Sequence, residues 1–355
     1  SFFEMINCIL MCMRYNTITK TLLAAVFLMT ACSHQKTWLQ SVPMTKLEVS
    51  RDVEFLPIPG DSIVMPEILA TCGDYVLWSE KKGDELLRIS DCDGNLLSSD
   101  IKKGRASGEL LNITQILVQD HDFILCDVLK NKAYSFVLEG HSVDRVNSFD
   151  IGTFSTIAVA GDTIVGIAKH GNYKYESKLL DGNTISKFGN YSFYGLDVET
   201  GCSLLRGHIC INDALGRTAV FGYCAGAYEI ADYRHYEIVR SEKLEDFSFD
   251  GKVGGQVLMG PESKLNFISV SSSETYIYAL YDGKDLNYYM SNQVDSPSGN
   301  TICVFDWDGN YVKSVHLDYP VTCIAWNPDD NSLYISVLMD CDYRIGTIKS
   351  DRLCQ

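Results

Sequence analysis

Several stretches of this 355-residue chain have residue types and spacings that chemistry could use. "GRASGE", Gly104 to Glu109, offers glycines that let backbone approach a ligand, with Arg105 placed to grip a carboxylate or sulfate. Glu109 ends the stretch, and the same pattern also reads as a turn in which that carboxylate accepts from backbone amides. "DCDGN" (91–95) and "DWDGN" (306–310) have the oxygen-rich start of a calcium loop but no distal bidentate Glu. Set between alternating strand residues, they read as hairpin turns, because Asp and Gly both tolerate positive φ. "GDS", Gly60 to Ser62, holds a serine, yet no D-x-x-H block follows near the C-terminus to supply a base. The seven histidines, His34, His121, His141, His170, His208, His235 and His316, form no i, i+4 pair and no HExxH. Tyr288 and Tyr289 in "LNYYM" present aromatic faces with polar tips, suited to stacking on a sugar ring from a loop. These residues lead us to expect ligand binding by Arg105, Glu109, Tyr288 and Tyr289, with no catalytic residue, no metal and no cofactor.

Such residues need a frame, and the frame is written as a repeat. A short apolar strand, a polar turn and a second apolar strand recur as "ILATCGDYVLWS" from Ile68, "ILVQDHDFILCD" from Ile116 and "IAVAGDTIVGIA" from Ile157. "HICINDALGRTAVFGY" from His208 is a looser copy; "FISVSSSETYIYAL" from Phe267 and "CIAWNPDDNSLYISVL" from Cys323 complete the series. The starts lie 48, 41, 51, 59 and 56 residues apart, and outer hairpins such as "ICVFDWDGNYVKSV" follow several of them. Four strands at such a period are the signature of β-propeller blades. The expected fold is therefore all-β, a six-bladed β-propeller over residues 45–355 sharing one continuous core. The alternating segment 45–58 is expected to pair as a strand with the blade formed by residues 321–351 and so close the last blade.

The N-terminal part carries an address. The apolar run Leu22 to Ala31 is too short for a membrane-spanning helix but suits a signal segment with a basic start at Arg14 and Lys20. Residues 1–12 read as an extension ahead of the initiator Met13, residues 13–31 as the signal peptide and residues 32–44 as a tether. "LMTAC", Leu28 to Cys32, resembles a lipoprotein lipobox, which implies lipidation of Cys32 as the mature N-terminus. The net charge of −16, or −17 without Glu4, Arg14 and Lys20, argues against nucleic acid and against a polybasic membrane face. Of thirteen cysteines, ten follow Cys32; they stand singly in apolar stretches and read mainly as buried core residues, with Cys202–Cys210 the one pairing considered.

The lipobox, "KKGRASGEL" from Lys102, "VFDWDGNYVKSV" from Val304 and "IAWNPDDNSLYISV" together resemble the TolB-like six-bladed propeller lipoproteins of Gram-negative gut bacteria. In that family the first loop runs like G-x-G-P-G-E; here Gly104, Gly108 and Glu109 match while Ala106 and Ser107 depart from it. The resemblance covers roughly residues 45–350 and implies a fold and an envelope location without an assigned activity. Two functions follow as expectations. One is a monomeric binding or scaffold protein, lipid-anchored to the outer membrane on its periplasmic side, holding a glycan, peptide or envelope protein. The other is a propeller lyase or glycosidase whose acids converge on the central channel.

Overall fold

The computed structural model describes residues 38–355, apart from 83–84, 98–100, 107–108, 120, 141, 153, 248, 254–255 and 355. Cys32, the signal segment and most of the tether lie outside the described residues, and Trp38–Ser41 is a single 3-10 turn. No helix among the described residues is long and apolar enough to cross a membrane.

Four separate four-stranded antiparallel sheets form blades 1 to 4. Their first strands are Pro66–Cys72, Gln115–Gln119, Phe154–Ala160 and Gly207–Asn212. The remaining blades are fused into one eight-stranded sheet by the long strand Tyr311–Asn327. Its first part is the outer strand of blade 5, pairing Thr301 with His316 and Cys303 with Ser314. Its second part is the inner strand of blade 6, pairing Ile324 with Ile335. Register shifts at Gly299/Thr301 and Val321/Cys323 bend the strand between the two roles. Inner strands pack in series from blade 1 through to blade 6, and blade 6 packs back on blade 1, so the ring of six closes.

The expected closing strand is two strands. Glu54–Phe55 pairs with Gly346 and Thr347 and completes blade 6, as the sequence suggested. Met44–Leu47, by contrast, runs parallel to Ser314–Leu317 on the outer edge of blade 5. A helical turn, Val49–Asp52, separates them; Asp52 Oδ2 accepts from Glu48 N at 2.8 Å and Asp318 Oδ1 from Val49 N at 2.8 Å. The N-terminal segment thus clasps both halves of the fused sheet, and pairing begins at Met44, inside the expected tether.

Asp-Gly hairpins form as the sequence implied. Asp91 Oδ1 accepts from Asp93 N and Asn95 N, and Asp306 Oδ1 repeats this with Asp308 N and Asn310 N. Both carboxylates are thereby occupied by their own turns. Gly309 has φ +79°, and a Cβ there would meet Arg240 Cδ at 2.7 Å, so the turn needs glycine twice over.

The core differs from the single core expected: it is a set of wedges between blades. Leu77, Ile89, Phe123 and Phe136 fill the seam of blades 1 and 2. Ile124, Cys126, Ile157 and Ile164 fill the next, and Val165, Tyr175, Val220 and Ala231 the one after. Phe221, Phe267, Phe305 and Tyr228 cluster between blades 4 and 5 with ring centroids 4.8–6.5 Å apart. Trp78 and Val76 meet Cys323, Tyr334 and Ile345 where the ring closes. The physical reason is blade geometry: each twisted sheet has two faces to bury, and only its neighbours can cover them. Cys202 and Cys210, considered as a pair, are both free thiols; Cys202 Sγ donates to the Tyr191 hydroxyl oxygen at 3.2 Å.

Side chains also seal the seams. Gln115 acts as a mimic peptide between blades 2 and 3: its Oε1 accepts from Ile157 N at 2.9 Å and its Nε2 donates to Ile157 O at 3.0 Å. Gln115→Leu leaves both backbone groups without partners, and urea unfolding should show a loss of about 1–3 kcal/mol. Gln119→Leu, which removes one exposed bond of 3.3 Å to Gly161 O, should change stability by less than about 0.5 kcal/mol.

Candidate functional site

Because strands alternate in direction, the turns joining first to second strands all lie at one end of the ring. The loops joining second to third strands, and those between blades, lie at the other. At the turn end the inner strands open a central cavity of about 1090 Å³. Its wall is aliphatic, with Leu69, Ile116, Ile209, Val270 and Ile324 from five different blades. Trp326 adds an aromatic face, stacked on Tyr278 with ring centroids 5.2 Å apart. The size suits a small ligand or an inserted side chain group.

The rim is acidic. Asp213, Glu274, Asp329 and Asp351 line it with one imidazole, His121. Asn212 fixes part of this rim: its Nδ2 donates to Glu274 O at 2.8 Å and its Oδ1 accepts from Leu215 N at 3.1 Å. Asp213 Oδ1 accepts from the Tyr233 hydroxyl at 2.5 Å and from Arg234 Nη2 at 2.9 Å, and these two donors hold the carboxyl below its ordinary range. Asp213 is therefore an anion at neutral pH and a poor proton donor. Nothing in the individual residues marked His121, Asp213, Glu274 or Asp329 as neighbours. The signal that could have found them was the repeat itself, since each sits in the polar turn of one module copy.

The residues singled out from the sequence lie elsewhere, toward the loop end. Arg105 and Glu109 stand in the linker between blades 1 and 2. Glu109 Oε2 accepts from Ala106 N at 2.8 Å, and Arg105 is exposed. Tyr288 and Tyr289 belong to blade 5, and the expected Tyr-rich loop is a helix, Leu286–Asn292. Asp285 at its N-cap accepts from Tyr288 N at 2.8 Å, an arrangement the sequence reading passed over although an Asp stands ahead of the run. The Tyr289 hydroxyl donates to Asp282 Oδ2, and Lys284 Nζ bonds Asp282 Oδ1 at 2.7 Å. Burial pushes the Asp282 carboxyl upward while Lys284 and Tyr289 pull it part of the way back. Tyr289 is thus engaged in holding a buried carboxyl. Tyr288 is 42 % exposed, with Lys284 Nζ 5.5 Å from its ring centre. Ser62 sits in the 3-10 turn Gly60–Ser62, and among the described residues no histidine bonds its hydroxyl. No group of three potential ligands for a metal occurs among the described residues.

On the inner strand of blade 4, His208 packs edge-on against Tyr223 at 6.1 Å, and burial pushes its imidazole down to about 4. The unfolded chain takes up this proton near pH 6.5 and the folded protein does not until about pH 4. The His208 contribution to stability is therefore complete above pH 6.5 and is lost progressively as pH falls towards 4. Urea unfolding of wild type and His208→Gln across this range should show wild type losing ground to the variant as pH drops; a pH-independent difference would contradict the assignment.

Comparison with known proteins fits this architecture. Residues 225–329 match the family model described as TolB-like 6-blade propeller-like. No curated protein matches the chain. Among solved structures, an exported protein of Bacteroides fragilis NCTC 9343, so described, is similar at TM-score 0.53 and 10% identity, over 86% of this chain and 98% of its own. A member of the DUF4221 family from Bacteroides vulgatus is similar at TM-score 0.53 and 9% identity, over 83% of this chain and 95% of its own. Identities this low speak to fold alone: this chain is an all-β propeller whose six blades close into a ring, and its likeness to the TolB-like model rests on residues 225–329.

Proposed function

We propose that this is an exported, lipid-anchored envelope protein that binds a partner at the turn end of its axial cavity without transforming it. The observation that carries the reading is the pairing of an apolar wall, completed by Trp326, with a rim of four carboxylates. That combination favours a peptide segment, a loop or tail of an envelope protein, whose apolar side chain enters the channel while flanking Lys or Arg meets the rim. A neutral glycan lacks the cationic groups such a rim would select.

Hydrolysis or elimination by carboxylates would need a proton donor among the channel acids. Asp213 is held ionised, and the carboxyl that burial raises, Asp282, lies at the loop end on Lys284 and Tyr289. Location rests on different support: the Leu28–Cys32 pattern, the basic-apolar signal segment before it, and the exported neighbour from Bacteroides fragilis. An outer-membrane anchor facing the periplasm is the reading we adopt, since "SHQKT" after Cys32 carries no acidic tract.

Binding is tested by probing a peptide array and a neutral-glycan array with the purified full-length protein. Apolar peptides flanked by Lys or Arg should bind, and Trp326→Ala should weaken them about tenfold or more. A silent peptide array beside a positive glycan array would overturn the reading. For the anchor, fatty-acid labelling of cells should mark wild type and not Cys32→Ser, with the variant released from the membrane fraction; equal labelling would refute it.

A further inference from the structure

A second cavity, of about 700 Å³, lies on blade 2 toward the loop end, away from the axial channel. Arg105, Lys130, Lys132 and Arg145 line it together with Tyr134, Asn147 and Ser148. Four cations in one trough are unexpected in a chain with 30 Lys and Arg against 46 Asp and Glu.

The trough is built by the fold. Lys103 bridges Leu110, with Gly104 N donating to Leu110 O at 2.9 Å and Leu110 N to Lys102 O at 3.0 Å, so the Arg105 loop has a closed neck. Buried Asp127 ties that neck to blade 2: one oxygen accepts from Leu111 N at 2.6 Å, the other from Lys130 N at 3.0 Å. Lys130 Nζ then reaches back to the loop, donating to Ala106 O at 3.1 Å and Glu109 O at 2.5 Å. The Glu109 carboxylate is turned onto Ala106 N within the loop. On the far wall, a bulge between Arg145 and Asn147 breaks the register of strand Ser142–Asp150 and sets Arg145 over the Tyr134 ring at 5.8 Å.

Charge is left over. Lys132 pairs with Asp150 at 2.9 Å, but among the described residues no carboxylate pairs with Arg105 or Arg145. Carbonyl oxygens bind Lys130 without cancelling its charge. Two guanidinium forks suit carboxylate or sulfate oxygens in bidentate contact, while Asn147 and Ser148 can bond neutral hydroxyls. A cavity of about 700 Å³ confined to blade 2 and its linker takes a compact ligand, not a long polyanion.

The geometry points to a binding site for a short acidic saccharide, a uronic or sulfated sugar held by Arg105 and Arg145 across the trough on blade 2. Glu109, first read as a possible ligand group, becomes the brace of the loop that presents Arg105. The site is independent of the axial channel and of what binds there.

Calorimetric titration of the full-length protein with short oligogalacturonides and with the matching neutral oligosaccharides tests it. Acidic oligomers should bind and neutral ones should not, with affinity falling about tenfold between roughly 50 and 300 mM NaCl. Arg105→Ala and Arg145→Ala should each cost about tenfold, and Arg105→Lys less, because charge survives while the fork is lost. Unchanged far-UV circular dichroism would verify folding, and Trp326→Ala should bind the acidic oligomers as wild type does. Equal binding of neutral oligomers, no loss in either Arg variant, binding of inorganic sulfate as tight as that of the saccharide, or preference for phosphatidylglycerol vesicles would each overturn the proposal.

Discussion

Every inner strand of a propeller has one edge paired within its blade and one edge facing its neighbour across the axis. Backbone groups on that second edge must find partners or the ring fails, since a buried amide left alone costs about 1–3 kcal/mol. Here side chains of the next blade fill the need. Ile324 N donates to Ser269 Oγ at 3.1 Å and Trp326 N to Ser271 Oγ at 2.8 Å across blades 5 and 6. Thr71 Oγ1 donates to Trp326 O at 2.9 Å and Asn327 Nδ2 to Gly73 O at 3.2 Å where the ring closes. Between blades 3 and 4 a buried ion pair, Lys174 with Glu229 at 3.3 Å, crosses the seam; the cost of desolvating both charges offsets much of their attraction.

This stitching has a consequence for function. With apolar burial confined to the wedges between blades, the axis need not be filled to hold the molecule together. The channel can stay open and its lining can vary, while turns at one end and linkers at the other carry recognition groups on a rigid ring. The two candidate sites use different parts of this design. One gathers single residues from the turns of several blades; the other is assembled within blade 2 and the linker leading to it.

How much could be read in advance follows the range of the physics involved. The blade module was legible because alternation and Asp-Gly turns are local, and Asp91 and Asp306 make the same turn bonds in both copies. That Glu54–Phe55 completes blade 6 was legible for a similar reason, as an unpartnered strand ahead of the first module. The helical turn that shifts Met44–Leu47 to blade 5 was not, because it depends on Asp318 capping Val49 from 269 residues away. Arg105 stood out by its glycine neighbours, but its partners Lys130 and Arg145 meet it through the bulge and the Asp127 tie, neither of which leaves a motif. Tyr289 looked available for a ligand and is engaged by Asp282, a contact set by tertiary packing alone.

Amide hydrogen exchange measured residue by residue tests the stitched ring most directly. The amides of Ile157, Ile324 and Trp326 lie on inner-strand edges and have only a neighbouring blade's side chain as partner. They should exchange as slowly as the ladder amides of the same blades, through global unfolding. Fast exchange at these three positions, at rates typical of an open sheet edge, would contradict the closed ring on which the axial channel depends.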